Sequence, residues 1–152
     1  MTTNKTIINI AIADDQKLFR EGLVSILRKQ EGFLLVHEAE NASGLLEQLE
    51  NSSTLPDVLL LDMAMPDMNG IELNEVIQKQ YPSIKVLVLS TYDQPRFIVK
   101  MIERGASGYL TKDCTSTELT HAIETVHTTG FYFNEVMQAA LQDAQLKNAG
   151  TL

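Results

Sequence analysis

Short apolar runs alternate along the chain with longer stretches in which apolar residues recur every three or four positions. The first pattern is typical of buried strands and the second of amphipathic helices. The predicted strands are Ile7–Ala13, Leu34–Ala39, Asp57–Asp62, Lys85–Ser90 and Ser107–Thr111. The predicted helices are Gln16–Lys29, Ser43–Glu50, Ile71–Gln80, Pro95–Arg104 and a helix from Thr115 to about Thr128, which begins with a capping-box sequence.

Five strands alternating with five helices predict right-handed crossovers and a doubly wound α/β fold, in which helices cover both faces of a parallel sheet. The strands are apolar throughout rather than alternating, as a sheet buried on both faces requires. In such open sheets, ligands bind beyond the carboxyl ends of the strands. The side chains at those ends are therefore the candidate functional residues.

The end of the chain has a different composition. Residues 131–133 are Phe-Tyr-Phe, and the stretch Asn134–Leu146 is rich in Gln and Ala, which favours a helix. It contains too few apolar residues for a domain of its own. We interpret residues 1–130 as one domain and residues 131–152 as an extra terminal helix or the beginning of a linker.

Composition narrows the possible functions. The 152 residues suffice for one domain, and 12 basic against 20 acidic side chains give a formal charge of −8, which argues against direct binding to nucleic acid. Cys114 is the single cysteine, so an internal disulfide is excluded and a reducing compartment is expected. No apolar run reaches the ~20 residues that span a bilayer, so no membrane partner is expected.

Polar side chains follow or end four of the five predicted strands. Asp14 and Asp15 follow the first strand, Asp62 ends the third, Ser90 ends the fourth, and Lys112 follows the fifth. Carboxylates that share a crevice repel one another unless a cation neutralises them or one is protonated, and oxygen ligands of this kind suit Mg²⁺. A carboxylate beside such a cation is a competent nucleophile toward phosphorus, and the lysine and hydroxyl would bind the transferred group.

These residues, in this order, resemble the receiver domains of bacterial two-component response regulators, over about residues 7–130. The resemblance implies the flavodoxin-like (CheY-like) fold with strand order 2-1-3-4-5. It also implies that Asp62 is the phospho-acceptor and a ligand of Mg²⁺. The further Mg²⁺ ligands would be Asp15, which binds more directly, Asp14 through water, and the backbone carbonyl of Ala64. Lys112 would be the catalytic lysine, Ser90 the catalytic and switch hydroxyl, and Tyr109 the switch aromatic.

The implied function is a cytoplasmic signalling switch rather than an enzyme, with self-phosphotransfer and autodephosphorylation as its only reactions. A histidine kinase is expected to phosphorylate Asp62, after which Ser90 would be drawn inward and Tyr109 would move into the vacated space. The face made by the fourth helix, fifth strand and fifth helix would then change its binding properties. Phosphorylation-dependent homodimers are a further expectation.

The string Gly105–Lys112 is similar to that of the NarL/LuxR-type subgroup, whose receivers precede a helix-turn-helix domain. The expected output is therefore transcription regulation, with DNA bound only through a domain outside this chain, and a stand-alone receiver is the alternative.

Two positions depart from the common pattern of receiver domains. Asp113 stands where many receivers have a cis proline, and a non-proline cis bond costs roughly 3 kcal/mol, which leaves the peptide geometry open. The side chain of Ala64 can neither position nor shield a water, so the rate of autodephosphorylation is expected to differ, with the direction left open.

Two other functions fit parts of the pattern. A phosphatase resembling the haloacid-dehalogenase class would need a second Asp two residues after the nucleophile, where this chain has Ala64. A flavin or nucleotide carrier would need a phosphate-cradling loop after the first strand, where this chain has Asp14 and Asp15. The residues disfavour both.

Overall fold

The computed structural model describes residues 6–91 and 95–149, with side chains as far as residue 145. The strands are β1 (Ile8–Ala13), β2 (Phe33–Ala39), β3 (Val58–Leu61), β4 (Lys85–Ser90) and β5 (Gly108–Thr111). The helices are α1 (Lys17–Arg28), α2 (Ala42–Asn51), α3 (Gly70–Gln80), α4 (Pro95–Glu103), α5 (Ser116–Thr129) and α6 (Glu135–Ala149). Each strand and helix predicted from the sequence has its counterpart, including the additional helix at the end.

The strands form one parallel sheet in the order β2-β1-β3-β4-β5, which confirms the predicted fold class and strand order. Strands β1 and β3 are neighbours, and Ala13 is aligned with Leu61, so Asp14 and Asp62 leave the sheet side by side. On the other side of β3, β4 pairs with β5 so that Ser90 lies beside Thr111. The predicted functional residues therefore lie at one edge of the sheet, where open α/β folds bind ligands.

Local sequence explains where the elements begin and end. The strand predicted at Asp57–Asp62 is shorter at both ends: the Asp57 carboxylate accepts a hydrogen bond from the Asn9 amide at 2.8 Å, and Asp62 already belongs to the following loop. The predicted capping residue Thr115 accepts a hydrogen bond from the Glu118 amide at 3.1 Å. Helix α5 ends at Gly130, whose φ of +89° favours glycine.

Each side of the sheet has its own hydrophobic core. On one side, α2, α3, α4 and α6 pack over a core with four buried methionines, and we call this side the methionine face. Its methionines are Met63, Met65, Met101 and Met137. On the other side, α1 and α5 pack over buried Ile, Leu and Val residues and Ala122, and we call this side the aliphatic face.

Helix α6 packs against α4 and β5, and its Met137 and Ala140 are buried in the methionine face. The interpretation of residues 131–152 left open a helix or a linker, and the described part of that stretch contains a docked helix. Within residues 6–91 and 95–149, none of the helices combines the length and the apolar character that a membrane crossing demands.

Candidate functional site

The ends of β1 and β3 bring the three predicted carboxylates together. Asp14, Asp15 and Asp62 each place one oxygen within 4.8 Å of the others. Asp14 and Asp62 are buried, whereas Asp15 is exposed to solvent. The cluster predicted from the strand ends is therefore formed, with one of its carboxylates on the open side.

Lys112, at the end of β5, reaches across to this cluster. Its Nζ lies 2.8 Å from Asp14 Oδ2 and 3.6 Å from Asp62 Oδ2, and all three side chains are nearly inaccessible. The ammonium also donates to Gln16 Oε1 and lies 4.5 Å from the centre of the Phe19 ring. One positive charge thus serves two buried carboxylates. Sequence reasoning did not identify these neighbours, because Gln16, the N-cap of α1, lies 96 residues from Lys112 in the chain, and Phe19 lies in the first turn of the same helix.

The pKa of Asp62 reflects this shortage of positive charge. Burial of the carboxyl and the neighbouring charge of Asp14 raise its pKa from an ordinary 3.8 to about 6. Lys112 and the Ala64 amide lower the pKa of Asp62 by less than those effects raise it. A carboxyl whose ionisation is this unfavourable is stabilised by any cation that enters the cluster.

The loop between β3 and α3 is held close to the sheet. The Ala64 amide lies 3.4 Å from Asp62 Oδ1, and the Gly70 amide donates to the Met63 carbonyl at 2.7 Å. A Cβ on Gly70 would lie 2.7 Å from Met63 Cα and 2.9 Å from the Asp62 carbonyl oxygen. This close approach requires glycine at position 70.

Asp67 ties the same loop to a second helix, a contact that sequence reasoning missed. Its carboxylate accepts hydrogen bonds from the Ala42 amide at 3.0 Å and from the Ser43 amide and hydroxyl, both at 2.9 Å. These bonds lower the pKa of Asp67 to about 2. Nothing in the sequence near Asp67 indicates this partner, since α2 lies 24 residues away.

The two predicted switch residues lie on neighbouring strands. Ser90 ends β4 and is fully buried. Tyr109 of β5 is also fully buried, and its hydroxyl donates to Met63 Sδ at 3.3 Å. The aromatic ring expected to move inward thus already lies inside the protein, in contact with the residue that follows Asp62.

The segment after β5 has ordinary backbone geometry. The Lys112–Asp113 peptide is trans, since the described residues contain no cis peptide bond. The Asp113 carboxylate accepts a hydrogen bond from the Thr111 hydroxyl, and the Cys114 amide donates to the Thr111 carbonyl at 3.1 Å. A short turn of this kind directs Lys112 toward the acidic cluster without a proline.

The donor set of the acidic cluster fits a hard divalent cation. Three carboxylates with oxygens within 4.8 Å of one another offer the oxygen ligands that Mg²⁺ prefers, and one of them is exposed enough for water to complete the coordination. The raised pKa of Asp62 points the same way, because burial and the charge of Asp14 both disfavour its ionised form, and a bound cation would offset both effects.

Comparison with known proteins is consistent with this geometry. Residues 10–124 match the family model described as the response regulator receiver domain. The chain is 39% identical to the transcriptional regulatory protein LnrK of Bacillus subtilis over 123 residues, which cover 81% of this chain and 55% of that protein. It is 37% identical to the transcriptional regulatory protein DegU of Brevibacillus brevis over 131 residues, or 86% of this chain and 55% of that protein. The chain thus spans about half the length of these curated relatives.

A solved structure shows the same fold. The signal receiver domain of the response regulator NarL from Mycobacterium tuberculosis superimposes with a TM-score of 0.76 at 32% identity, covering 82% of this chain and 98% of that one. A LuxR-family two-component response regulator from Aurantimonas superimposes with a TM-score of 0.82 at 25% identity, covering 93% and 99% of the two chains.

Proposed function

Because this chain belongs to the response regulator receiver family, we propose that it is a phosphorylation switch in which Asp62 accepts the phosphoryl group. The observation that carries the proposal is the position of Asp62 at the carboxyl edge of the sheet, beside Asp14 and Asp15, with Lys112 bridging Asp14 and Asp62. Asp62 has a raised pKa of about 6 and is still mostly ionised at pH 7, so it is available as a nucleophile.

Asp15 and Asp62 would hold Mg²⁺ directly, Asp14 would hold it through water, and the Ala64 carbonyl would complete the protein ligands. When bound, Mg²⁺ would neutralise charge on the phosphoryl group during transfer. Lys112 would bind a phosphoryl oxygen, since its ammonium already lies 3.6 Å from Asp62 Oδ2.

The transfer itself would be a displacement at phosphorus. One Asp62 oxygen attacks the phosphorus of a phosphohistidine on a histidine kinase, and a P–O bond forms as the P–N bond breaks. The imidazole leaves with the electron pair of that bond and takes a proton from water. Hydrolysis of the resulting acyl phosphate returns Asp62 to its carboxylate. The domain would then be a signalling device that autodephosphorylates, rather than a catalyst of a separate reaction.

The response would involve Ser90 and Tyr109. The Ser90 hydroxyl would donate to a phosphoryl oxygen, and the buried position of Tyr109 would become more favourable. Since Tyr109 is fully buried in the present structure, phosphorylation would stabilise an existing arrangement, as expected for a population shift.

The role of the whole protein is part of the proposal. The relatives LnrK and DegU are transcriptional regulatory proteins, and this chain spans about half of their length. We infer that a domain outside this chain binds DNA, and that phosphorylation of Asp62 controls it, with homodimer formation as one route.

Intact-mass spectrometry tests the phospho-acceptor. With Mg²⁺ and acetyl phosphate, the protein should gain the mass of one phosphoryl group, and the gain should disappear with EDTA or in Asp62→Asn. Asp57→Asn is the matched control, because Asp57 precedes β3 at the end opposite Asp62, and its carboxylate accepts a structural hydrogen bond from the Asn9 amide. A mass gain that persists in Asp62→Asn would refute the assignment.

A further inference from the structure

The segment that follows α5 covers the free edge of the sheet. Strand β5 is an edge strand, which would leave unpaired backbone groups along one side. The Tyr132 amide donates to the Ser107 carbonyl at 2.8 Å, and the Asn134 side-chain amide donates to the Tyr109 carbonyl at 2.9 Å. These two bonds satisfy acceptors two residues apart, as an added strand would.

Helix α6 then covers the neighbouring helix. The Asn134 Oδ1 accepts a hydrogen bond from the Met137 amide at 2.9 Å, so one side chain both caps α6 and attaches it to Tyr109. Met137 and Ala140 are buried to 0% and 1% exposure in the same core as Ile98 and Met101 of α4. The docked segment therefore contacts both β5 and α4.

Tyr109 connects this docked segment to the acidic cluster. Its backbone carbonyl accepts the Asn134 bond, its ring belongs to the core that includes Met137, and its hydroxyl contacts Met63 beside Asp62. The ring lies on the methionine face, the side of the sheet where α4 and α6 pack. A docked α6 and a buried Tyr109 thus stabilise each other.

We propose that the β5 edge and α4 form a docking surface for the chain's own residues 131–145, and that this docking strengthens when Asp62 is phosphorylated. The inference rests on the proposed function, because the link runs through the buried position of Tyr109. It gives the switch an intramolecular partner: any domain attached after residue 152 would sense phosphorylation through the docking of α6. A second protein that uses the same surface would have to displace α6 first.

Hydrogen exchange is suited to test this proposal. A helix of 15 residues is marginal in water when it is not packed, so undocked α6 would exchange its amides quickly. Mass spectrometry of the protein with Mg²⁺, with and without acetyl phosphate, reports phosphorylation from the intact mass and exchange in residues 131–145 from peptides of the same sample. We expect exchange in this segment to slow by about fivefold or more on phosphorylation, a typical coupling between two sites.

The variants Asn134→Ala and Gln138→Ala form a matched pair on this segment. Asn134 makes the docking bonds, whereas the Gln138 side chain is exposed on the same helix. Asn134→Ala should speed exchange of α6 and weaken beryllofluoride binding in Mg²⁺ by about fivefold, because coupling between two sites is reciprocal. Gln138→Ala should change neither quantity.

The outcomes separate the two hypotheses. A protein that gains the phosphoryl mass on Asp62 with unchanged exchange in residues 131–145 would overturn this inference and leave the proposed function standing. A protein that gains no mass would overturn both. Equal beryllofluoride affinity in Asn134→Ala and Gln138→Ala, with α6 exchange raised only in the first, would show that docking and phosphorylation are independent.

Discussion

Both faces of the sheet bury Leu, Ile and Val, but the buried methionines of the described residues all lie on one face. The aliphatic face buries branched side chains of Ile, Leu and Val under α1 and α5. The methionine face buries Met63, Met65, Met101 and Met137 together with Tyr109. Methionine is unbranched and adapts to irregular spaces, whereas branched side chains have few allowed rotamers.

The residues of the proposed switch lie on the face that contains the methionines. Tyr109 and the docked α6 belong to the methionine face, and Met63 joins the ring to Asp62. In the proposed switch the ring of Tyr109 takes two positions, and unbranched methionine side chains repack around it at low cost. The comparison leads us to expect movement on the face whose core contains methionine, although both cores are equally buried.

Truncating one buried side chain in each core gives the strongest test of whether the methionine face repacks more easily than the aliphatic face. Ile123→Ala on the aliphatic face should lower the free energy of unfolding by about 4 kcal/mol, and Met101→Ala on the methionine face by only about 2 kcal/mol. Both side chains are fully buried, so burial does not explain the difference. Urea denaturation of the two variants measures both values, and equal losses would contradict the idea that the methionine face repacks more easily.

Neutralising Asp62 should stabilise the protein when no metal is present. The folded pKa of about 6 lies above the ordinary 3.8, so the stability linked to a protonated Asp62 is complete below pH 3.8 and is lost as the pH rises through 6. Asp62→Asn keeps a neutral side chain at all pH values, and in EDTA at pH 7 it should raise the free energy of unfolding by roughly 2 kcal/mol.

Two observations sharpen this expectation. The advantage of Asp62→Asn should shrink as the pH falls toward 4, and Mg²⁺ should stabilise the natural protein more than the variant. Thermal unfolding at pH 4 and pH 7, with and without Mg²⁺, gives all of these values. A variant that is less stable than the natural protein at pH 7 in EDTA would show that Lys112 compensates for the burial of Asp62.

Alanine substitutions at Gly70, beside the acidic cluster, and at Gly22, in α1, test how tightly the backbone is packed in these two regions. Gly70→Ala would force a Cβ to within 2.7 Å of Met63 Cα, so it should lower the free energy of unfolding by about 2 kcal/mol and weaken Mg²⁺ binding. Gly22 in α1 has nothing within 4 Å of its would-be Cβ, and Gly22→Ala should raise the free energy of unfolding by up to about 1 kcal/mol. Urea denaturation and Mg²⁺ calorimetry test the pair, and a harmless Gly70→Ala would show that the loop after β3 shifts freely.

The smallest effect concerns Asp67, which joins that loop to α2. Asp67→Ala should lower the free energy of unfolding by about 1 kcal/mol, as the loss of a helix-capping side chain does. The pKa of Asp67 is lowered to about 2, so its contribution is present above pH 3.8 and is lost as the pH falls from there toward 2. The free energies of unfolding of the two proteins should therefore converge as the pH falls from 5 to 2, whereas a constant difference would assign the effect to packing.

Most of the fold could be predicted from the sequence, because its apolar runs and its helical spacing of apolar residues are clear. The apolar runs located all five strands, and the acidic and basic residues at their ends identified Asp14, Asp15, Asp62 and Lys112 as a group. Sequence reasoning misjudged the limits of β3, where Asp57 and Asp62 turn their carboxylates to partners outside the strand. Polar residues at strand ends carry no periodic signal, so such limits are hard to read.

By itself, the sequence determined the order of the elements, the burial of the strands and the types of residue at their ends, because these follow from local periods and from residue chemistry. Only the tertiary structure decided that Lys112 bridges Asp14 and Asp62, that Asp67 holds α2, and that Asn134 joins α6 to Tyr109. Those contacts join residues from 24 to 98 positions apart in the chain. Distances between such residues depend on how the sheet and helices pack, and no local pattern records that packing.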